Sequence, residues 1–449
     1  MEPKTRTGQN KTVIENTIFG TEKIWKILLK LAPPVMFAQL IQALYNIVDS
    51  YFVGKYSPDG LTALSVIFPI QLIITALAVG TGVGVNTQMA RLYAQGKKSE
   101  ADKTAGTGMV LSFLTWIIFA VTAVLLMRGY VATSAKSAQA VDYGVIYGNI
   151  VCAGSLGIYL ESIWTKVHQA EGNMRIPMIA QVAGAVTNII LDPILIFGMA
   201  GLPELGVAGA AIATVCGQVV AAVITGIHGF RMPPALREMK NYVQWIYRLG
   251  YPSIFMQLLY TVYIVALNMI LAGFSDAAVT VLGLYYKVQT FFFIPLMGLQ
   301  TCIVPVLSYN YAAKKYKRCQ MIMRDSILFA LLFMLIGVFC FEFMPGELLG
   351  IFSQEAAVWE IGVPAFRIIG LSFLPAVFSL LIPVFFQAIG SAKPSAFLSF
   401  LRQILCLIPI FWGFSKIGLQ YTWLAFPIAE IVTGTVGVFL YRRKTRKWE

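Results

Sequence analysis

Charge is scarce in this chain. Of its 449 residues only 12% are Asp, Glu, Lys or Arg, while 58% are hydrophobic. The mean hydropathy is +0.73. Soluble domains carry about a quarter charged residues, so a water-bathed globular surface is excluded. Histidine is nearly absent too, with only His168 and His228. No HExxH, GxSxG or GxxxxGK[ST] occurs, which leaves zinc hydrolysis, hydrolase chemistry and a nucleotide-driven motor without machinery. The chain is expected to be no enzyme and to need no cofactor. Cys152, Cys216, Cys302, Cys319, Cys340 and Cys406 are scattered and form no CxxC, so they read as small apolar residues and not as a disulfide framework or metal cluster. The first 25 residues hold Lys, Arg, Glu, Asn and Thr without a cleavable apolar core, and no signal peptide is expected.

What the chain has in abundance is apolar sequence in runs of about 20 residues, the length of a membrane-crossing helix. Twelve such spans are expected: 27–54, 61–90, 105–127, 142–170, 175–200, 207–230, 243–273, 278–309, 325–345, 360–389, 395–415 and 419–441. The net charge of +13 could suit nucleic acid, but its placement argues against that partner. With the N-terminus inside, 26 of the 34 Lys and Arg fall on the inner side, among them Lys97, Lys98, Lys314, Lys315, Lys317, Arg318 and the tail Arg442–Lys447. Only Lys55, Arg128, Lys136 and Lys416 fall outside. By the positive-inside rule both termini are cytoplasmic, and the basic tails anchor to the inner lipid leaflet.

Sliding the sequence on itself by 218 residues superposes Leu31 on Leu249, Pro34 on Pro252, Tyr45 on Tyr263, Gln71 on Gln289, Gly80 on Gly298 and Gln169 on Gln387. The chain therefore holds two homologous halves of six spans each. An even number of spans preserves direction, so the repeats are parallel. The expected organisation is a cytoplasmic tail at 1–26, a first lobe at 27–230, a cytoplasmic linker at 231–242, a second lobe at 243–441 and a basic tail at 442–449.

Two polar stretches interrupt the apolar runs. In span 1, Gln42, Tyr45, Asn46 and Asp49 are spaced i, i+3, i+4, i+7 and share one helical face. In span 5, Asn188 and Asp192 lie one turn apart, and Pro193 frees the Ile189 carbonyl. A carboxylate at the bilayer centre costs at least about 2.5–3.5 kcal/mol, so such residues face an interior and have a task. The repeat sharpens this, because Asp49 superposes on Leu267 and span 11 has no carboxylate to match Asp192. Two carboxylates with an amide and a hydroxyl oxygen suit Na⁺; two neighbouring carboxyls that share a proton suit H⁺.

Other motifs carry open alternatives. Pro34 is either a hinge in span 1 or a helix-start residue. Gly80, Gly82 and Gly84 mimic a dinucleotide fingerprint but read better as close helix packing. Glu161, Thr165 and His168 share a face of span 4, which admits a proton path. Arg402 and Glu430 are expected to pair between spans 11 and 12. Lys287, next to Tyr285 and Tyr286, and the Tyr263 and Met256 side chains are candidate parts of a substrate path, together with Gln42, Tyr45 and Asn46.

The stretches QALYNIVDSYFVG (42–54), NIILDPILIFG (188–198), GAAIAT (209–214) and QAIGSAK (387–393) resemble the multidrug and toxic compound extrusion (MATE) family, in its bacterial branch of MepA-like and DinF-like exporters. The resemblance covers the whole chain. It implies an all-α membrane protein of two six-helix lobes in the bacterial cytoplasmic membrane, and an antiporter that expels organic, often cationic aromatic, compounds against Na⁺ or H⁺. It also implies Asp49, Asn188, Asp192 and Thr214 as the cation ligands, and a monomer. A lipid-linked oligosaccharide flippase of the related superfamily would want a cleft rich in basic residues, and only Lys287, Arg367 and Arg402 lie well within spans. A non-transporting membrane receptor or scaffold leaves the duplicated lobes without a purpose.

Overall fold

Every expected span is helical in a computed structural model, which describes residues 19–134, 137–352 and 355–448. The inner-tail positions Lys4, Arg6 and Lys11, the outer Lys136 and the final Glu449 lie outside the described residues. Ten spans are single elements: Ile24–Tyr56, Pro58–Ala94, Lys98–Ser134, Arg175–Ile196, Val207–Gly229, Leu236–Ala272, Asp276–Ala312, Tyr316–Phe343, Ala392–Ser415 and Leu419–Trp448. The other two, spans 4 and 10, are helix pairs: Ala138–Gly154 with Leu156–Ala170, bent by 41°, and Ala356–Gly370 with Phe373–Ala388, bent by 55°. With each bent pair taken as one span the total is twelve. Among the described residues there is no strand.

The outward faces are apolar. On span 3, Ile118, Leu125 and Leu126 are 68%, 78% and 64% exposed, an arrangement that only a hydrocarbon solvent favours. Inside a bilayer apolar area no longer drives helices together, and close packing takes over. The glycines of span 2 show this: a Cβ on Gly80 would lie 2.1 Å from Ile254 Cγ1, and one on Gly84 would lie 2.1 Å from the Ile246 carbonyl oxygen. They are contact points between helices, as the packing reading holds.

The helices divide into two compact units. Residues 33–254, with 19–21, make one; residues 22–32 with 255–449 make the other. The division falls beside Pro33–Pro34 and beside Pro252, both inside long helices. Helix Ile24–Tyr56 begins ten residues before Pro34, so Pro34 is not a helix-start residue. The stretch read as a linker, 231–242, is helical from Leu236 onward. After Pro233–Pro234, Glu238, Lys240 and Asn241 form a polar first turn of span 7 that a hydropathy window does not register.

In the first unit, Arg231 gathers one end of the bundle. Its guanidinium donates to Asp102 Oδ1 at 3.0 Å, to Glu171 Oε1 at 2.6 Å and to the His228 carbonyl at 2.8 Å. Burial works against this charge, but Glu171 and its neighbours outweigh it and hold the guanidinium above its ordinary range. The second unit is centred on Phe341, whose ring lies 4.7 Å from Phe373, 5.0 Å from Phe366 and 5.7 Å from Phe292 between centroids. Such pairs contribute about 0.5–1.5 kcal/mol each beyond their buried area.

Candidate functional site

Spans 5 and 6 approach each other through small residues. Gly209, Ala213, Gly217 and Ala221 recur every four positions along one face of span 6, the pattern that lets membrane helices touch backbone to backbone. A Cβ on Gly217 would meet the Gly184 carbonyl oxygen at 2.6 Å, and one on Gly209 would meet the Leu195 carbonyl oxygen at 2.6 Å. This approach sets Asn188 and Asp192 of span 5 beside Thr214 of span 6. The Asn188 amide nitrogen donates to Asp192 Oδ1 at 3.3 Å and to Thr214 Oγ1 at 3.4 Å. With the amide turned over, the nitrogen donates to Asp192 Oδ2 at 3.2 Å and the oxygen accepts from the Thr214 backbone N–H at 3.1 Å. Both orientations tie the same three residues together.

Asp49 completes the group from span 1. Asp192 is wholly buried, and Asn188, Asp49 and Thr214 are 2%, 8% and 8% exposed. The charges of Asp49 and Asp192 act on one another and on the Tyr45 hydroxyl. Asp49 Oδ1 is buried with no hydrogen-bond partner among the described residues. An unpaired carboxylate oxygen beside a second carboxylate calls for a cation or a proton. The four oxygen-bearing side chains named from the sequence are thus brought into one place. Among the described residues no three His, Cys, Asp or Glu side chains gather as a metal site, so the donor set is that of a weakly held hard cation and not of zinc or another transition metal.

Beside this group lies a cavity of about 90 Å³, lined by Gln42, Tyr45, Glu161, Gln181, Asn188, Thr214 and Gln218. Gln42 and Tyr45 of the expected path are therefore on its wall. Asn46 is exposed, and its carbonyl accepts from Ser50. Met256, Tyr263 and Lys287 belong to the second unit. There Tyr263 is buried in a cluster with Tyr260 and Tyr286, at centroid distances of 5.3 and 6.4 Å, Met256 is half-buried and Lys287 is exposed. In span 4, Thr165 donates to Glu161 Oε1 at 2.7 Å, while the His168 ring bonds the Thr225 carbonyl at 3.0 Å. The face read as a proton path thus turns aside to span 6 at His168.

Tyr147 was not foreseen. It is 2% exposed, accepts from Gln71 at 3.3 Å, bonds Thr214 and lies within range of the Asp49 charge. The signal was present, because the repeat superposes Tyr147 on Ala365, the same one-sidedness that marks Asp49.

In the second unit the corresponding region is filled. Arg402 donates to Glu430 Oε1 at 2.8 and 2.6 Å, and Ser379 donates to the same carboxylate. The expected pair is formed. It stands on a π-helical stretch, Leu401–Leu407, a local widening common where a side chain is re-aimed.

The structure is similar to an outward-facing multidrug resistance MATE family transporter of the MOP superfamily, with TM-score 0.90, 23% identity, and coverage of 99% of this chain and 100% of that one. It is also similar to a MOP superfamily transporter from Pyrococcus furiosus, with TM-score 0.89, 23% identity and coverage of 99% of both. In sequence the chain is similar to an FAD transporter of Shewanella oneidensis, 24% identical over 430 residues, covering 94% of this chain and 95% of that one. It is likewise similar to the multidrug export protein MepA of Staphylococcus saprophyticus, 25% identical over 407 residues and 87% of each. The MatE family model matches residues 34–194 and again residues 252–412, the two matches standing 218 residues apart. With most of its length matched twice over, the chain belongs to the MATE family of transporters, all-α multi-pass membrane proteins of twelve spans in two six-helix lobes.

Proposed function

We propose that this protein is a secondary active antiporter of the bacterial cytoplasmic membrane, exporting organic, often cationic aromatic, compounds in exchange for Na⁺ or H⁺. The observation that carries the reading is the one-sided oxygen site Asp49–Asn188–Asp192–Thr214, buried in the first unit and without a carboxylate counterpart at the repeat-related positions. The coupling cation binds between Asp49 and Asp192, with Asn188 and Thr214 adding neutral oxygens. Its binding favours one conformation and substrate binding the other, so each ligand drives the cycle only by its differential affinity for the two. Bending at Pro34 in span 1 transmits the occupancy of Asp49 to the rest of the helix. Both termini face the cytoplasm, which puts the basic ends of the helices against the inner leaflet.

An exported dinucleotide, the cargo named for the Shewanella relative, is anionic. The first-unit cavity offers it the Glu161 carboxylate, so cationic compounds are the better match. The test is dye efflux from vesicles holding the purified chain, under a Na⁺ gradient and separately under a pH gradient. Efflux driven by one of the two is expected. Its absence under both would refute antiport.

A further inference from the structure

Glu161 is the remaining acid of the first unit's interior, and nothing above gives it a task. It lies nine residues from the Ala170 end of span 4, about 14 Å along a helix. Asp192 and Asp49 lie four and seven residues from the opposite helix ends, Ile196 and Tyr56, about 6 and 10 Å. The cavity bridges the two depths, with Asn188 and Thr214 on one side and Glu161 and Gln181 on the other. At about 90 Å³ it has room for roughly three waters at ~30 Å³ each. That falls short of the about 300–1,000 Å³ of a drug-sized pocket.

Its lining is rich in hard oxygen donors. Besides the Glu161 carboxylate there are the amide oxygens of Gln42, Gln181 and Gln218 and the Tyr45 hydroxyl. Gln218 Oε1 is buried and finds no donor among the described residues. Glu161 accepts from Thr165 and Gln181, and Lys166 lies within electrostatic range of it while donating to Gln169 at 2.8 Å. The repeat shows what such a place accepts. Gly184, in the cavity wall, superposes on Arg402, and Glu161 superposes on Ser379. The second unit therefore holds a tethered cation at this position, bonded to Glu430, where the first unit offers a carboxylate and an open volume.

We infer that the cavity around Glu161 is a second site for a small monovalent metal cation, through which the coupling ion passes between the Asp49–Asp192 site and the end of the bundle bearing Ala170. The inference rests on the antiport reading for its role in transport, but ion binding can be measured without transport. A metal ion fits better than an organic ammonium because of the small volume and the all-oxygen lining.

Radioactive sodium binding at equilibrium, on the purified full chain in lipid nanodiscs, tests this. Wild type is expected to bind two ions per chain, Asp49→Asn one, Glu161→Gln one, and the double variant none. Glu161→Asp should restore the second ion, and Glu161→Gln should slow dye efflux at least tenfold without changing dye affinity. One ion per chain in wild type, or unchanged binding in Glu161→Gln, would overturn the inference and leave antiport standing, with Lys166 as the standing neutraliser of Glu161. No sodium binding together with efflux under a pH gradient would overturn it equally. Two ions bound without efflux under either gradient would refute antiport and leave the second site.

Discussion

Breaking the Arg402–Glu430 pair should be the most damaging single change in the second unit, and removing both partners should not. The side chains are 13% and 8% exposed, and two guanidinium nitrogens reach one carboxylate oxygen at 2.8 and 2.6 Å. Little solvent is available to screen either charge. Arg402→Met leaves the Glu430 carboxylate buried with the Ser379 hydroxyl as its remaining donor, and such half-broken pairs cost about 3–5 kcal/mol. For a body of about 200 residues each kcal/mol moves the midpoint by about 2–4 °C, so a fall of roughly 6–20 °C is expected. The double variant Arg402→Met/Glu430→Leu removes the charge altogether, and replacing a buried pair by apolar side chains is often neutral or stabilising. Ser379 keeps an acceptor in the Ala376 carbonyl at 3.2 Å. A thiol-reactive dye in a heating ramp reads this directly, because Cys302, Cys319 and Cys406 are free and buried. A drop below about 2 °C in Arg402→Met, or a double variant as unstable as the single, would show that the pair is not the electrostatic anchor its geometry implies.

Other expectations follow from the same geometry. Asp49→Asn and Asp192→Asn should each abolish gradient-driven efflux while dye binding persists and loses its dependence on Na⁺ or pH, as linkage requires; the double variant should be little worse than either single, and full coupled efflux in either single would mean that aspartate is structural. Pro34→Ala restores a backbone donor in mid-helix and should slow efflux severalfold at equal membrane abundance; parental rates would remove the hinge. Tyr147→Phe deletes the hydroxyl that joins Gln71 to Thr214 and should weaken cation binding about fivefold, one neutral hydrogen bond's worth near 1 kcal/mol, with an unchanged sodium affinity arguing that the contact is incidental. Membrane-impermeant labels should reach cysteines at Ser99 and Lys315 and a tag at the C-terminus only from the cytoplasm, and cysteines at Gln139 and Glu355 only from outside; reversed access at any two would overturn the topology.

Much of this molecule was legible before any coordinates, because its strongest signals are compositional. Twelve apolar runs, a 218-residue self-match and two aspartates in hydrocarbon each stand against a uniform background. The contrast between Asp49 and Leu267 located a site that hydropathy alone would have passed over. What escaped notice has physical reasons. The breaks at Ser155 and at Leu371–Ser372 keep the surrounding sequence apolar and cost only local hydrogen bonds; the Ser155 hydroxyl takes up the Cys152 carbonyl at 2.7 Å. The π-helical stretch in span 11 changes backbone register without changing composition. The cavity at Glu161 depends on Gly184 and Gly217, which read as packing glycines until their neighbours are placed. Tyr147 was missed by looking for charge when the repeat was already marking asymmetry of any kind.

The placement of residues 22–32 in the second unit, and of 236–254 in the first, bears on how such a protein is made. The 218-residue repeat carries the first of these stretches onto 240–250, inside the second, so each half lends the leading turns of its first helix to the other's unit. Two half-genes divided within 231–242 would yield polypeptides that each lack a part of their own bundle, and each should reach the membrane in quantity only when the other is co-translated. An ancestor of half this length would have met the same need with a second chain, as domain-swapped dimers do. Fusing the copies into one reading frame turns that bimolecular exchange into an intramolecular one, whose completion no longer depends on how many copies the cell has synthesised.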